Sequence, residues 1–176
     1  MDITLVVADY RKPSHAAAIV TLMSAYALDP MGGGRDLPER VKTQLVERLA
    51  QVPTALSVLA FAGAEPAGLI NCFEGFSTFQ CQPLMNIHDV TVLPAYRGRG
   101  LSRRMLALVE ECARERGCCK LTLEVLEGNK TAQQAYRKFG FAGYELSPAT
   151  GRALFWEKPL MSSGANVERK NPIKDY

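Results

Sequence analysis

The stretch that leaves a β-rich run at Val92, passes Pro94 and enters Arg97-Gly98-Arg99-Gly100-Leu101-Ser102 constrains the fold more than any other part of the chain. Two glycines close together end one regular element, and Leu101, Met105, Leu108, Val109 and Cys112 then recur at helical spacing. A strand, a tight turn and a helix therefore follow one another here. A helix that begins at such a turn points several partnerless backbone N–H groups into one concavity. Anions gather there: Gly98 and Gly100 lack the Cβ that would hold a phosphate off the backbone, the helix dipole favours negative charge, and Arg97 and Arg99 add counter-charge. The ATP-loop pattern G-x-x-x-x-G-K-[ST] is absent, and Arg103 stands where the dinucleotide fingerprint has its third glycine, which disfavours ATP and NAD. An isolated Gly-x-Gly is usually an ordinary turn, so its surroundings decide.

Around it the chain reads as alternating strands and helices. Residues 3–8 form a β-branched run, and after Pro13 a helix carries Ile19, Leu22, Met23 and Tyr26 on one face. Asp29-Pro30-Met31-Gly32-Gly33-Gly34-Arg35-Asp36 is a loop, and Pro38 opens a second helix with Val41, Leu45, Leu49 and Val52 inward. Residues 56–61 and 67–76 predict an antiparallel hairpin, 84–92 a further strand, 118–126 another, and 129–139 a short helix closed by Gly140. A terminal strand pair is expected over 141–146 and 153–160. The class is mixed α/β, with one domain over residues 1–160 and a polar tail over 161–176.

Composition narrows the partners. With 47% hydrophobic and 22% charged residues the chain matches a folded globular protein. Its 21 Lys+Arg against 18 Asp+Glu leave a net charge of +3, too slight to point to nucleic acid. Cys72, Cys81, Cys112, Cys118 and Cys119 show no C-x-x-C spacing, so no metal site is expected and buried free thiols are the simpler reading. Met1-Asp2-Ile3-Thr4 has no basic, apolar leader and no run is long enough to cross a bilayer, so the expected location is the cytoplasm, away from membranes.

The context of the glycine turn is specific. Val90-Thr91-Val92-Leu93-Pro94-Ala95-Tyr96-Arg97-Gly98-Arg99-Gly100-Leu101-Ser102 resembles the [RQ]-x-x-G-x-[GA] motif of the GNAT N-acetyltransferases. Downstream, Asn129-Lys130-Thr131-Ala132-Gln133-Gln134-Ala135-Tyr136-Arg137-Lys138-Phe139-Gly140-Phe141 is similar to the same family's N-x-x-A-x-x-x-Y helix. Together they cover the second half of the chain; the first half shares only the order of elements. The resemblance implies a mostly antiparallel seven-stranded sheet, helices on both faces and splayed middle strands. It implies acetyl-coenzyme A as acetyl donor, held by Val90, Thr91, Val92, Arg97, Gly98, Arg99, Gly100, Leu101, Ser102, Asn129, Ala132 and Tyr136. Ser102 departs from the usual Gly or Ala, though it is small and can donate to phosphate.

The chemistry implied by the resemblance is direct attack of an amine on the thioester, with backbone N–H groups steadying the developing oxyanion. Tyr136 matches the family tyrosine that protonates the sulfur; it also belongs to an apolar stripe with Ala132, Ala135 and Phe139, so packing is its second role. An amine of ordinary pKa near 10.4 arrives as ammonium and needs a base. Asp89, Glu124 and His88 are the candidates, and a water chain could replace all three. Strict alternation sets His88 and Asp89 on opposite faces unless a β-bulge intervenes, and puts Glu124 on one face with Lys120 and Thr122. Acceptor recognition is expected from residues 26–35, 74–79 and the Gly151 region, with Glu74 a further partner for an ammonium. Likeness to diamine and polyamine acetyltransferases favours a small cationic amine; protein or peptide amines, amino-acid-like amines and aminoglycosides stay open, as does a non-catalytic acetyl-coenzyme A module that regulates a partner. An exposed sheet edge could support a homodimer.

Overall fold

Runs rich in β-branched and apolar residues form five strands: β1 (Ile3–Val7), β2 (Ala55–Ala62), β3 (Glu65–Ser77), β4 (Gln82–Val92) and β5 (Leu121–Leu123). The computed structural model describes residues 2–145, 147, 149 and 151–160, and the chain divides into two units between Ala142 and Gly143. In the first unit the strands lie side by side in chain order, antiparallel from β1 to β4, with β5 parallel to β4. A parallel pair cannot be joined by a tight turn. The crossover is made by α3 (Leu101–Glu115), whose stripe of Leu101, Met105, Leu106, Val109 and Ala113 is buried on one sheet face beside Val58, Ile70, Met85 and Ile87.

Two helices cover the other face, α1 (Pro13–Leu28) and α2 (Glu39–Ala50), which bury Ile19, Leu22 and Leu49 against Leu59 and Leu69. The fourth helix, α4 (Lys130–Phe139), contributes Tyr136 and Phe139 to the α3 side. Helices thus lie on both faces, as the expected mixed α/β class requires. Val52, expected inward, falls beyond the end of α2 and is 38% exposed. Among the described residues no helix is long and apolar enough to cross a membrane.

The sheet differs from expectation at its last strands. β5 has three residues instead of the whole of 118–126, and five strands are seen among the described residues where seven were expected. Of the expected pair 141–146 and 153–160, the described residues show one antiparallel bridge, Glu145 with Arg152, and one bond from Ala153 N–H to the Tyr144 carbonyl at 3.3 Å. Gly143 interrupts the first of these runs and Gly151 adopts a left-handed φ of +73°, both unfavourable to a continued ladder. Leu146 and the expected tail over 161–176 lie outside the described residues.

Candidate functional site

The site begins with a register change. Asn71 of β3 pairs with Asp89, but the next residue, Cys72, pairs with Ile87, so His88 is an extra residue in β4. Such a bulge bends and twists its strand. On the opposite edge of β4, pairing with β5 runs Met85 to Leu121, Asn86 to Thr122 and Ile87 to Leu123, and stops at the bulge. From His88 to Val92 that edge of β4 has no strand partner among the described residues. The Leu93 N–H turns to β3, bonding the Ala67 carbonyl at 3.0 Å, so alternation turns the backbone groups of Val92 and Val90 to the open edge. The Val92 carbonyl does face that way, accepting from Arg97 Nε at 2.8 Å. The intervening Thr91 side chain is buried.

The open edge leads into the glycine turn. Gly98 and Gly100 have φ of +74° and +72°, a region other residues enter at a cost, and they reverse the chain into α3. The first helical bond runs from Arg104 N–H to the Gly100 carbonyl at 3.2 Å. No acceptor among the described residues takes the N–H groups of residues 98–103, Leu101 and Ser102 included. A Cβ built on Gly98 or Gly100 meets nothing within 4 Å, so the hollow is open. The arginines divide. Arg97 donates to Asp29 at 2.9 Å as well as to Val92, and Arg104 donates to the Ile3 carbonyl at 3.0 Å. Arg99 and Arg103 are exposed and without a partner among the described residues, so they, rather than Arg97, are the free cations beside the turn.

The acid–base groups lie on the α1 side of β4. The bulge is the exception to strict alternation allowed above, and it leaves His88 Nδ1 3.6 Å from Asp89 Oδ1. His88 is 63% exposed and meets Phe73 edge-on, whereas Asp89 is 18% exposed and accepts from Asn71 Nδ2 at 3.0 Å. Glu124 lies just beyond β5 and is exposed; Asn86 Nδ2 reaches both Thr122 Oγ1 at 3.1 Å and Glu124 Oε1 at 3.5 Å, so Thr122 and Glu124 share a face as expected. Glu74 is already paired with Arg116 at 3.5 Å.

Tyr136 is set by the ends of α4. Asn129 Oδ1 accepts the Ala132 N–H at 3.1 Å, capping the helix, and Gly140 ends it in a left-handed turn. Asn129 and Ala132 thus satisfy one another. The half-buried phenol packs against Phe141, and burial, then the neighbouring Tyr26, pushes its pKa up to about 12. Tyr26 itself is raised by burial, then by the charges of Asp89 and Asp29. Tyr26 is therefore within electrostatic reach of both Asp89 and Tyr136, which brings these three into one neighbourhood. Asn71, and the Ser57 behind it, belong to no motif; their one signal is that Ser57 is the lone polar residue of β2 and that Asn71 interrupts the apolar core segment of β3 between Ile70 and Cys72.

Comparison with known proteins agrees with this geometry. Residues 20–141 match the acetyltransferase (GNAT) family. The chain is 43% identical over 65 residues to a streptothricin acetyltransferase of Streptomyces lavendulae, covering 37% of this chain and 34% of that one. It is 37% identical over 69 residues to a thialysine N-epsilon-acetyltransferase of Bos taurus, covering 39% of each. These alignments span well under half the length of the relatives. An aminoglycoside acetyltransferase from an uncultured soil metagenomic sample superposes with a TM-score of 0.72 at 17% identity, over 92% of this chain and 100% of that one. An aminoglycoside acetyltransferase in complex with a coenzyme A bisubstrate analogue gives 0.71 at 17%, over 91% and 100%. At such identity the likeness is one of fold.

Proposed function

The chain belongs to the acetyltransferase (GNAT) family, and from that premise we propose that it transfers an acetyl group from acetyl-coenzyme A to a primary amine. The observation that carries this reading is the run of unclaimed N–H groups at residues 98–103, continuous with the unpaired edge of β4. The first fits a pyrophosphate, with Arg99 and Arg103 as counter-charges. The second fits an extended, amide-bearing chain that pairs with Val90 as a strand would. Acetyl-coenzyme A supplies the activated thioester carbonyl.

The residues then divide the work. The Val90 N–H, aimed out of the open edge, supports developing negative charge on the carbonyl oxygen. Tyr136 stays protonated at any neutral pH and donates a hydrogen bond to the sulfur as the C–S bond breaks. Complete proton transfer from a phenol near 12 to a thiolate of ordinary pKa about 8.5 runs uphill, so its first effect is stabilisation of the leaving group. Asp89, with His88 beside it, receives the ammonium of the acceptor and takes its proton, while Glu124 draws cations toward the opening. Arg97 ties the acceptor-side loop at Asp29 to the end of β4 and keeps the two halves of the site in register.

The test is thiol release from acetyl-coenzyme A with a panel of thialysine, spermidine, streptothricin and an aminoglycoside, chosen from the compounds after which the relatives are named and from the cationic acceptors expected above. Release dependent on at least one amine is the expected result. Tight coenzyme binding with no release for any of them would replace the enzyme by a binding module.

A further inference from the structure

Behind Asp89 lies a row of polar side chains, one from each neighbouring element. Tyr10 follows β1, Ser57 is in β2, Asn71 in β3 and Asp89 in β4. The distances are 2.9 Å from Tyr10 Oη to Ser57 Oγ, 2.6 Å from Ser57 Oγ to Asn71 Oδ1 and 3.0 Å from Asn71 Nδ2 to Asp89 Oδ2. Ser57 is 1% exposed and Asn71 3%, on the sheet face that otherwise buries Leu59 and Leu69 under Ile19 and Leu22. Packing alone would be served by apolar residues, since a buried polar group costs free energy that its hydrogen bonds only offset.

The direction of the row follows from its last member. An ionised carboxylate can only accept, so the Asn71 amide must present its NH2 to Asp89 and its oxygen to Ser57. Ser57 must then give its one proton to Asn71, which leaves Tyr10 to donate to Ser57. Every donation runs toward Asp89, and such chains polarise one another in a poorly solvated interior. The row ends at a largely covered carboxylate that touches no Lys or Arg among the described residues; its other oxygen has the exposed His88 imidazole 3.6 Å away. A carboxylate in such a place gains from a full positive charge beside it. The ligand that supplies it is a cation.

We propose that Asn71 is a positioning residue: held by Ser57 and Tyr10, it fixes the Asp89 carboxylate so that its remaining oxygen receives the ammonium group of the acceptor. This deepens the acetyl-transfer reading and rests on it. It assigns the acceptor as an amine that enters charged, and it makes Asn71 and Ser57 act on the amine through Asp89 while leaving the coenzyme alone.

Steady-state kinetics with the panel amine that turns over fastest, calorimetric binding of acetyl-coenzyme A and thermal melts test this on wild type, Ser57→Ala, Asn71→Leu, Asp89→Asn and the Asn71→Leu/Asp89→Asn pair. Loss of a hydrogen bond to a charged group predicts a fall of about ten- to a hundredfold in kcat/KM for the amine in Asn71→Leu, and a smaller one in Ser57→Ala. Coenzyme affinity stays within about twofold, and the pair falls no further than Asp89→Asn alone. Should Asn71→Leu not fold, Ser57→Ala decides, because it removes one hydroxyl and little volume. If wild type turns over while Ser57→Ala and Asn71→Leu keep its kcat/KM, or if the pair loses the product of the single effects, this inference alone falls. If wild type releases no thiol with any amine, the acetyl-transfer reading falls and takes the inference with it.

Discussion

Replacing Tyr136 by phenylalanine separates its chemical role from its packing role, because the two respond to different measurements. The ring sits among Phe139 and Phe141 on the α3 side, and the hydroxyl has no hydrogen-bond partner among the described residues. Tyr136→Phe should therefore keep the neutral-pH stability within about 0.5 kcal/mol. Its absence should be felt at the sulfur, where loss of one well-placed donor predicts a kcat lower by about a hundredfold with coenzyme affinity unchanged. A second readout comes from the alkaline limb. The folded phenol titrates near 12 and the unfolded one near 10.0, so the folded state holds its proton more tightly. Stability is intact below pH 10 and is lost as pH rises toward 12, by about 2 kcal/mol for a half-buried group. That loss disappears in the variant. Thiol-release kinetics at saturating acetyl-coenzyme A, together with melts from pH 7 to the alkaline limit of the fold, check both. An unchanged kcat would refute the assignment at the sulfur, and an unchanged alkaline limb would refute the burial of the phenol.

Gly100→Ala adds a side chain where φ is +72° but where no atom lies within 4 Å, so denaturant unfolding should show a loss of about 1 kcal/mol from backbone strain alone, while calorimetry shows coenzyme affinity reduced about tenfold. Asn129→Ala removes the cap of α4 and should cost about 1 kcal/mol by thermal melt, with a parallel drop in kcat because Tyr136 is carried by that helix. The Asp29 carboxyl is held below the usual carboxylate range by the Met31 N–H and then by Arg97. Its contribution is present above that range and lost as pH falls through its lowered pKa, so acid melts of Asp29→Asn should show a flatter acid limb than wild type.

What could be read from the residues alone followed from local rules. The glycine turn, the helix α3 and the short helix carrying Tyr136, closed by Gly140, each depend on neighbours within one or two helical turns and stand where expected; in the stripe of α3, Leu101, Met105 and Val109 are buried as expected, while Leu106 and Ala113 are buried and the expected Leu108 and Cys112 only partly so. A bulge in this strand is an exception that the family resemblance allows, but its place at His88 is a property of two strands: nothing in Ile87-His88-Asp89 specifies that Cys72 skips a residue of its partner. The relation of His88 to Asp89 depends on that place. The engagement of Arg97 by Asp29 was equally hidden, since it joins positions distant in sequence through the loop after α1. Ser57 and Asn71 interrupt apolar stretches of β2 and β3, and only the sheet order reveals that they are neighbours. The terminal strand pair is expected from two apolar runs; among the described residues it shows one bridge, beside glycines at 143 and 151 that disfavour a continued ladder.

The open edge of β4 also bears on how the protein behaves in solution. An edge that has no strand partner among the described residues is a template that an extended chain can complete, and a second molecule offers one as readily as a ligand does. Coenzyme seated along Val90 would act as a guard strand, competing with self-association for the same groups. Colloidal stability of this protein should thus follow ligand occupancy: a stock held with the coenzyme stays dispersed in conditions where the bare protein clusters, although no part of the core has changed.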